Sequence, residues 1–369
     1  MFNLEPSEEQ KMLQDMTRSF ASEQMRTVAH ECDEACMLAS GFLDRAWALG
    51  LVSAAVPAEY GGTGFERSAV AGALAAEELS WGDLSLALAM LSPALFTIPV
   101  LKWGTPEQKK ALLPLACGDS HPHLTAAVME PFMLFDPAGM RTAAVRANGS
   151  YVLNGRKCLV PLGGTAEKFI VYAARDGQKG YENVLGLVVD RAQPGLTIGG
   201  RERNMGISAL DTVELELEDV TVGGDAVLGG EEGMDFKALV SASRVALCAL
   251  AVGTARAANE YARQYALERN AFGEPIAHRQ AISFMLAEDY MEIEGSRLLT
   301  WESAWRIDAG LDAFKEAYLA KLYIDQVVVK VTDDAVQTLG GHGYIREHPV
   351  ERWLRNGRGF CCFEGLSIV

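Results

Sequence analysis

Glu364 sits in the run Phe360-Cys361-Cys362-Phe363-Glu364-Gly365. A carboxylate among apolar side chains is a candidate general base, because burial raises its affinity for a proton. Gly365 lets another chain segment approach closely. Taken alone, the same residue reads more readily as a partly exposed glutamate. Arg244 lies amid Val240, Val245, Ala246 and Leu247 on a helical pattern and follows Ser243. A guanidinium in such surroundings needs a partner, the simplest being a nearby carboxylate. Gly340-Gly341-His342-Gly343 follows a helical stripe rather than a strand. It therefore fails as a dinucleotide fingerprint and by itself reads as a helix stop. His30, Cys32 and Cys36 are spaced closely enough to suggest a metal, but no second ligand cluster matches them. We expect a plain surface helix there and no metal.

These residues must be held by three kinds of segment. Ser7 and Gln10 form a capping box, and Leu13, Met16 and Phe20 follow at helical spacing. Pro57–Gly64 is a turn-rich break, and helical pattern returns from Ser68 to Ala116. The period then shortens. Tyr151–Leu153 and Lys157–Val160 flank Asn154-Gly155, which predicts a hairpin turn. Phe169–Ala174 and Val184–Val189 are short apolar strands. Val213, Leu215 and Leu217 alternate with Glu214, Glu216 and Glu218, as a half-buried strand does. Beyond Phe236 helices resume. Ile282, Met285, Leu286, Tyr290 and Ile293 predict one apolar stripe, opposed by Glu288, Asp289, Glu292 and Glu294. Ile324, Val328, Val331, Ala335 and Leu339 predict another. The expected class is α+β: an N-terminal helical domain (1–123), a central β-domain (124–226) and a C-terminal helical domain (227–369).

The 369 residues suffice for two or three cores. Hydrophobic content of 49% with 22% charged residues describes a globular chain, and a net charge of -16 disfavours nucleic acid. Met1–Gln10 lacks a basic region followed by an apolar run, so no signal peptide is expected. The apolar stretch Leu84–Val100 is broken by Ser85, Ser92, Pro93 and Pro99 and reads as buried helix rather than a membrane span. Seven irregularly spaced cysteines suggest a reducing compartment, and we expect the cytoplasm.

Eight segments, in order, resemble the acyl-CoA dehydrogenase family: PAEYGGTG (57–64), AAVMEP (126–131), YVLNGRK (151–157), MGISALDT (205–212), ERNAFGEPI (268–276), QAISFMLAE (280–288), QTLGGHGYIREHPVER (337–352) and FEG (363–365). The resemblance implies a helical domain, a small β-barrel-like domain and a four-helix bundle, assembled as a dimer of dimers with FAD between domains and subunits. It implies α,β-desaturation of an acyl-CoA thioester, with electron-transfer flavoprotein as electron acceptor. It makes Glu364 the base and gives Arg244 support of the active site. Another branch takes its base from a helix, one residue before an arginine; here that position is Ser243, and a hydroxyl cannot serve unaided. The resemblance assigns Arg269, Phe272, Gln337, Gly340 and Gly341 to the ADP half of the flavin, where they serve a neighbouring subunit. Val160 and Pro161 fall on the strand that faces the flavin ring. Phe135, Ser243 and Gly365 fall beside the substrate.

The sequence departs from the pattern near the ring. Phe132-Met133-Leu134-Phe135 replaces a small polar loop and is expected to crowd the flavin and pantetheine. Leu159-Val160-Pro161 replaces Trp-Ile-Thr; proline has no N–H to donate, and leucine does not stack as tryptophan does. Leu366 and Ile368 stand where the family has Thr and Gln. Three readings follow: a working FAD dehydrogenase, a flavin-poor subunit lending its ADP half-site to a partner in a heteromer, or a non-redox lyase or isomerase acting on a CoA thioester.

Overall fold

The structure, a computed structural model, describes residues 5–369. The part of the N-terminal reading that concerns residues 1–4 lies outside the described residues. Helices α1 (Glu8–Phe20), α2 (Ala29–Ala35), α3 (Phe42–Trp47), α4 (Ala69–Gly82), α5 (Leu84–Leu91), α6 (Ala94–Trp103) and α7 (Pro106–Leu112) come first. The Ser7–Gln10 capping box starts α1 with both reciprocal bonds made. Of its three-residue stripe only Phe20 is buried.

Seven strands follow: β1 (Leu124–Ala127), β2 (Ala143–Ala147), β3 (Ser150–Pro161), β4 (Lys168–Arg175), β5 (Val184–Asp190), β6 (Leu196–Arg201) and β7 (Thr212–Gly223). They form one sheet in the order β1-β4-β2-β3-β7-β6, with β5 antiparallel to β4. Val213, Leu215 and Leu217 face its interior while Glu216 and Glu218 are exposed. The hairpin expected at Asn154-Gly155 is not there. Those residues lie inside the continuous strand β3, at an irregularity in its register with β7. Gly155 has φ of 150°, and a Cβ there would stand 2.6 Å from the Thr142 backbone. The Asn154 amide bonds both ways with Asp219 across the irregularity. The turn is made by the other Asn-Gly pair, Asn148 and Gly149, both at positive φ between β2 and β3.

The third part contains α8 (Phe236–Glu268), the short strands β8 (Asn270–Ala271) and β9 (Glu274–Pro275), α9 (Gln280–Asp308), α10 (Phe314–Leu339), α11 (Gly341–Tyr344) and α12 (Val350–Arg358). Helix α8 is long and apolar enough to cross a membrane, but 94% of that window is buried inside the protein, as befits a core helix. Gly253 on α8 allows α4 to lie against it, since a Cβ would meet the Glu77 carbonyl oxygen at 2.1 Å. The α10 stripe, Ile324 to Leu339, is buried as expected. The α9 stripe is so only in part: Leu286 and Ile293 are buried and Ile282 and Met285 half-buried. Tyr290 is exposed, and Asp289, expected on the solvent side, is buried. The buried seam of α9 is Leu286, Asp289, Ile293, Ser296, Thr300, Ser303 and Ala304. Small hydroxyl residues fit this helix contact because each bonds the carbonyl four residues back. Asp289 is tolerated because Lys330 of α10 pairs with it.

Candidate functional site

Gly365 explains the local path of the chain that carries Glu364. Its φ is 67°, and a Cβ would stand 2.5 Å from Val128 Cγ2, at the end of β1. Its N–H donates to Ser243 Oγ at 2.9 Å, and the Glu364 N–H points to Met129 Sδ at 3.4 Å. The segment is thus pinned to α8 on one side and to the residues after β1 on the other. Ser243 is occupied in this positioning contact.

Glu364 and Arg244 are partners. Arg244 Nε and Nη2 lie 3.0 and 2.9 Å from the same oxygen, Glu364 Oε1. The two side chains are 17% and 6% exposed. The expectation of a carboxylate partner for Arg244 is met by Glu364. Glu364 Oε2 is buried without a hydrogen-bond partner, as is Arg244 Nη1. One oxygen of the carboxylate is anchored and the other is free to take a proton. The guanidinium also lies over the rings of Phe314 and Tyr318, 5.3 and 5.2 Å from their centroids. Tyr181, nearby, has its hydroxyl pushed up in pKa by burial, opposed by Arg244.

A buried ion pair supports the backing of this site. Lys157 Nζ is 3.0 Å from Glu130 Oε1 and donates to the Val128 carbonyl. The N–H groups of Arg141 and Thr142 donate to the same carboxylate. Burial works to raise Glu130, but Lys157 and these N–H groups outweigh it and hold the acid below its ordinary value. Burial lowers Lys157, against the pull of Glu130. The pair joins Val128 and Met129, which touch the Glu364 segment, to strand β3.

On β3 the residues expected beside the flavin ring differ in character from Glu364. Val160 and Pro161 are buried. Pro161 offers only its carbonyl, which accepts from Thr125 Oγ1 at 2.8 Å. Leu159, at φ 51°, donates its N–H to both oxygens of Glu202. Nothing in the sequence signalled Glu202. Leu159, Met205, Gly206, Ile207, Gly359 and Phe363 help to line a cavity of about 190 Å³. The loop expected to crowd the site instead projects from the chain: Met133 and Leu134 are 94% and 98% exposed, and Phe132 packs under Arg141. Phe135 turns inward against an apolar cluster that includes Phe236 and Val240.

The residues that the resemblance assigns to the ADP end form a separate group. Arg269 and Phe272 follow the C-terminus of α8, while Gln337, Gly340 and Gly341 lie where α10 meets α11. All five are exposed, Phe272 at 96%. The Tyr265 hydroxyl, 2.8 Å from His342 Nδ1, ties these two ends together. Arg244 lies on α8 and Arg269 just past its end, about 25 residues on, or about 37 Å at the usual helical rise. Tested against FAD, this end fits: a free guanidinium and two glycines whose Cβ positions are open leave room for a pyrophosphate and its adenosine. The ring end fits less well, because Pro161 cannot donate and the Leu159 N–H is already used. Among the described residues no group of three His, Cys, Asp or Glu side chains is placed to hold a metal.

The acyl-CoA dehydrogenase N-terminal, middle and C-terminal domain models match residues 7–119, 125–220 and 235–369. Cyclohex-1-ene-1-carbonyl-CoA dehydrogenase of Geobacter metallireducens is 36% identical over 98% of this chain and 96% of its own length. The short-chain specific mitochondrial acyl-CoA dehydrogenase of Homo sapiens is 34% identical over 100% of this chain and 89% of its own. The solved structure of butyryl-CoA dehydrogenase from Megasphaera elsdenii superposes with a TM-score of 0.87 at 30% identity, covering 97% and 94% of the two chains. With all three domains matched in order around the Glu364–Arg244 pair, the chain belongs to the acyl-CoA dehydrogenase family.

Proposed function

We propose that this chain is a FAD-dependent acyl-CoA dehydrogenase, in which Glu364 removes the α-proton of an acyl-CoA thioester. The observation that carries the reading is the asymmetry of the Glu364 carboxylate: Oε1 is fixed by two nitrogens of Arg244, while Oε2 is buried and unpartnered. FAD, when bound, supplies the hydride acceptor for the β-carbon. The chain's own residues do the rest. Arg244 orients the base, Ser243 and the tight packing of Gly365 on Val128 fix its backbone, and Met129 covers it from the side of β1. The anchored carboxylate can rotate no further without losing both contacts, so Oε2 keeps one direction of approach. Phe135 lines the route toward the acyl group, and Val160 and Pro161 form the wall on which the flavin ring would rest. Arg269, Phe272, Gln337, Gly340 and Gly341 hold the ADP end of a neighbour's FAD. The exposure of this group and its distance along α8 from Arg244 support that reading. An assembly of four subunits, a cytoplasmic location and electron-transfer flavoprotein as acceptor complete the proposal.

A second reading is favoured by one feature. Without a donor at Pro161, and with the Leu159 N–H held by Glu202, the chain is a flavin-poor subunit that lends its ADP half-site to a catalytic partner. The absorbance of the purified chain near 450 nm, with short acyl-CoA oxidation measured alongside, decides. Bound flavin and turnover are expected. A colourless, inactive chain that gains activity only on mixing with a second family member would favour the lending subunit.

A further inference from the structure

Two cysteines stand just before the segment that carries Glu364. Cys361 and Cys362 are both exposed, and their sulfurs lie 3.6 Å apart. Arg358 Nη1 is 3.4 Å from Cys361 Sγ, so a cation stands beside that sulfur. Burial, with Cys361 adding to it, pushes the Cys362 thiol up, against Arg358 and Lys321. The mechanism proposed above uses neither sulfur. Elsewhere Cys158 and Cys248 are buried, and burial pushes both thiols up to about 12, which keeps them from exchange at neutral pH.

The pair is built into the turn that leads to Glu364. The Cys362 N–H donates to the Gly359 carbonyl at 3.0 Å, and the Phe363 N–H donates to the Phe360 carbonyl at 3.2 Å. Lys321 Nζ donates to the same Phe360 carbonyl. Phe363 packs on Gly359, where an added Cβ would stand 2.6 Å from the ring. Glu364 comes next, held to Met129 and Arg244. Adjacent Cα atoms are about 3.8 Å apart, less than the roughly 4.4–6.8 Å that a disulfide usually spans. A bond between these two sulfurs therefore closes only if the backbone from Cys361 to Cys362 turns. Both N–H bonds of the turn are made there or one residue on, so the change reaches Phe363 and Glu364. A strained, exposed disulfide is also readily reduced, as a reversible device requires.

Resting on the thioester reading above, we propose that Cys361 and Cys362 are a redox-active dithiol. A low-molecular-weight disulfide of the glutathione class converts it to a vicinal disulfide, which slows proton removal by Glu364 until a thiol reverses it. Cys361 attacks first: its thiolate sulfur bonds to one sulfur of the reagent, whose S–S bond breaks and releases one thiolate. Arg358 stands where the anionic reagent arrives. Cys362 then loses its proton to solvent, and its sulfur attacks that of Cys361 and releases the second thiolate. The two protein thiols have given up two electrons and two protons, and the reagent has become two thiols.

Treatment of the full chain with glutathione disulfide tests this, read by peptide mass and by turnover. Tryptic cleavage after Arg358 gives a peptide that holds Cys361 and Cys362 and none of the other five cysteines. In wild type that peptide should lose two hydrogens, and dithiothreitol should restore them. Turnover of a short acyl-CoA should fall by at least about tenfold in step, as it does when a base is misplaced, and should recover with the thiols. Cys362→Ser should stop at one glutathione on Cys361. Cys361→Ser should keep the turnover of the reduced protein in the reagent's presence. If the wild-type peptide keeps both thiols, or stops at a glutathione adduct, the vicinal disulfide is overturned. If the disulfide forms and turnover is unchanged, or if Cys361→Ser loses turnover as wild type does, the link to Glu364 is overturned. If no reduced form turns over an acyl-CoA of any length, the thioester reading falls and the link with it, while the peptide mass still decides the disulfide.

Discussion

The two sides of the candidate site were treated differently by this sequence. On the side of Glu364 the chain is pinned: Gly365 fits only as glycine, Ser243 receives its N–H, and Arg244 fixes one carboxylate oxygen while the other is left without a partner. On the side of the ring, the strand Leu159–Pro161 has spent or lost the donors that could face a cofactor, one N–H going to Glu202 and the other absent. On the proposed reading, proton removal and cofactor retention would depend on separate groups, and each could be altered without the other. The Glu130–Lys157 pair lies between them, touching Val128 on one side and leading into β3 on the other.

Breaking the base side should give the largest effect. Glu364→Gln keeps the shape and removes basicity, so turnover should fall by about two to four decades while thioester binding, read by calorimetry, persists. Unchanged turnover would mean that another group takes the proton.

Glu130→Gln should disturb both sides at once, because it leaves Lys157 buried and unpaired. Removing one member of such a pair typically costs about 3–5 kcal/mol, measurable by urea unfolding at neutral pH. The sign of the pH dependence follows from the depressed value of Glu130. The contribution of the ionised acid is complete above the ordinary carboxylate range and is lost as pH falls through its value in the folded protein. The gap between wild type and Glu130→Gln should thus narrow in acid. A gap that widens in acid would refute the assignment.

Gly365→Ala tests how closely the base is positioned. The left-handed backbone alone costs of order 1–3 kcal/mol for a side chain, and the overlap with Val128 adds to it. A smaller residue at Val128 should recover part of the loss. No recovery would mean that the overlap is not what fixes the turn.

The ring side is sharpened by restoring what it lacks. Leu159→Trp with Pro161→Thr supplies a ring and an N–H, and should raise FAD occupancy, read as the ratio of absorbance near 450 and 280 nm. Wild type that already purifies fully loaded would remove the idea of a weakened ring site. Asp289→Asn should spare both sides and change only stability. Burial, with Asp334 adding to it, raises Asp289 to about 6 despite Lys330. An acid with a raised value in the folded state loses stability as pH climbs from its unfolded value through about 6. The asparagine variant should flatten that slope, a modest effect seen in melting temperature between acid and neutral pH.

Much of this was legible in the sequence because it depends on period and on turn residues. The alternation of β7 and the α10 stripe read directly as burial. Two errors have physical causes. Two Asn-Gly pairs lie six residues apart, and either could turn the chain; only pairing with β2 and β7 distinguishes the turn at 148–149 from the irregularity at 154–155. On α9, Leu286 and Ile293 were placed on the buried face but Tyr290 was misplaced, because the rest of the seam is serines, a threonine, an alanine and a paired aspartate. At the site, the residue types of Glu364 and Arg244 were readable, but their contact across 120 residues of sequence was not. The grip of Glu202 on Leu159 and the inward course of 366–369 likewise depend on three-dimensional neighbours that no local pattern announces.

The central claim, that Glu364 is the base of a thioester-desaturating site, is tested most directly by mixing flavin-loaded protein with butyryl-CoA in the absence of oxygen. Wild type should lose its absorbance near 450 nm, and Glu364→Gln, loaded to the same extent, should do so at least about a hundredfold more slowly. Equal rates of bleaching in the two proteins, or none in loaded wild type with any acyl length, would contradict the account.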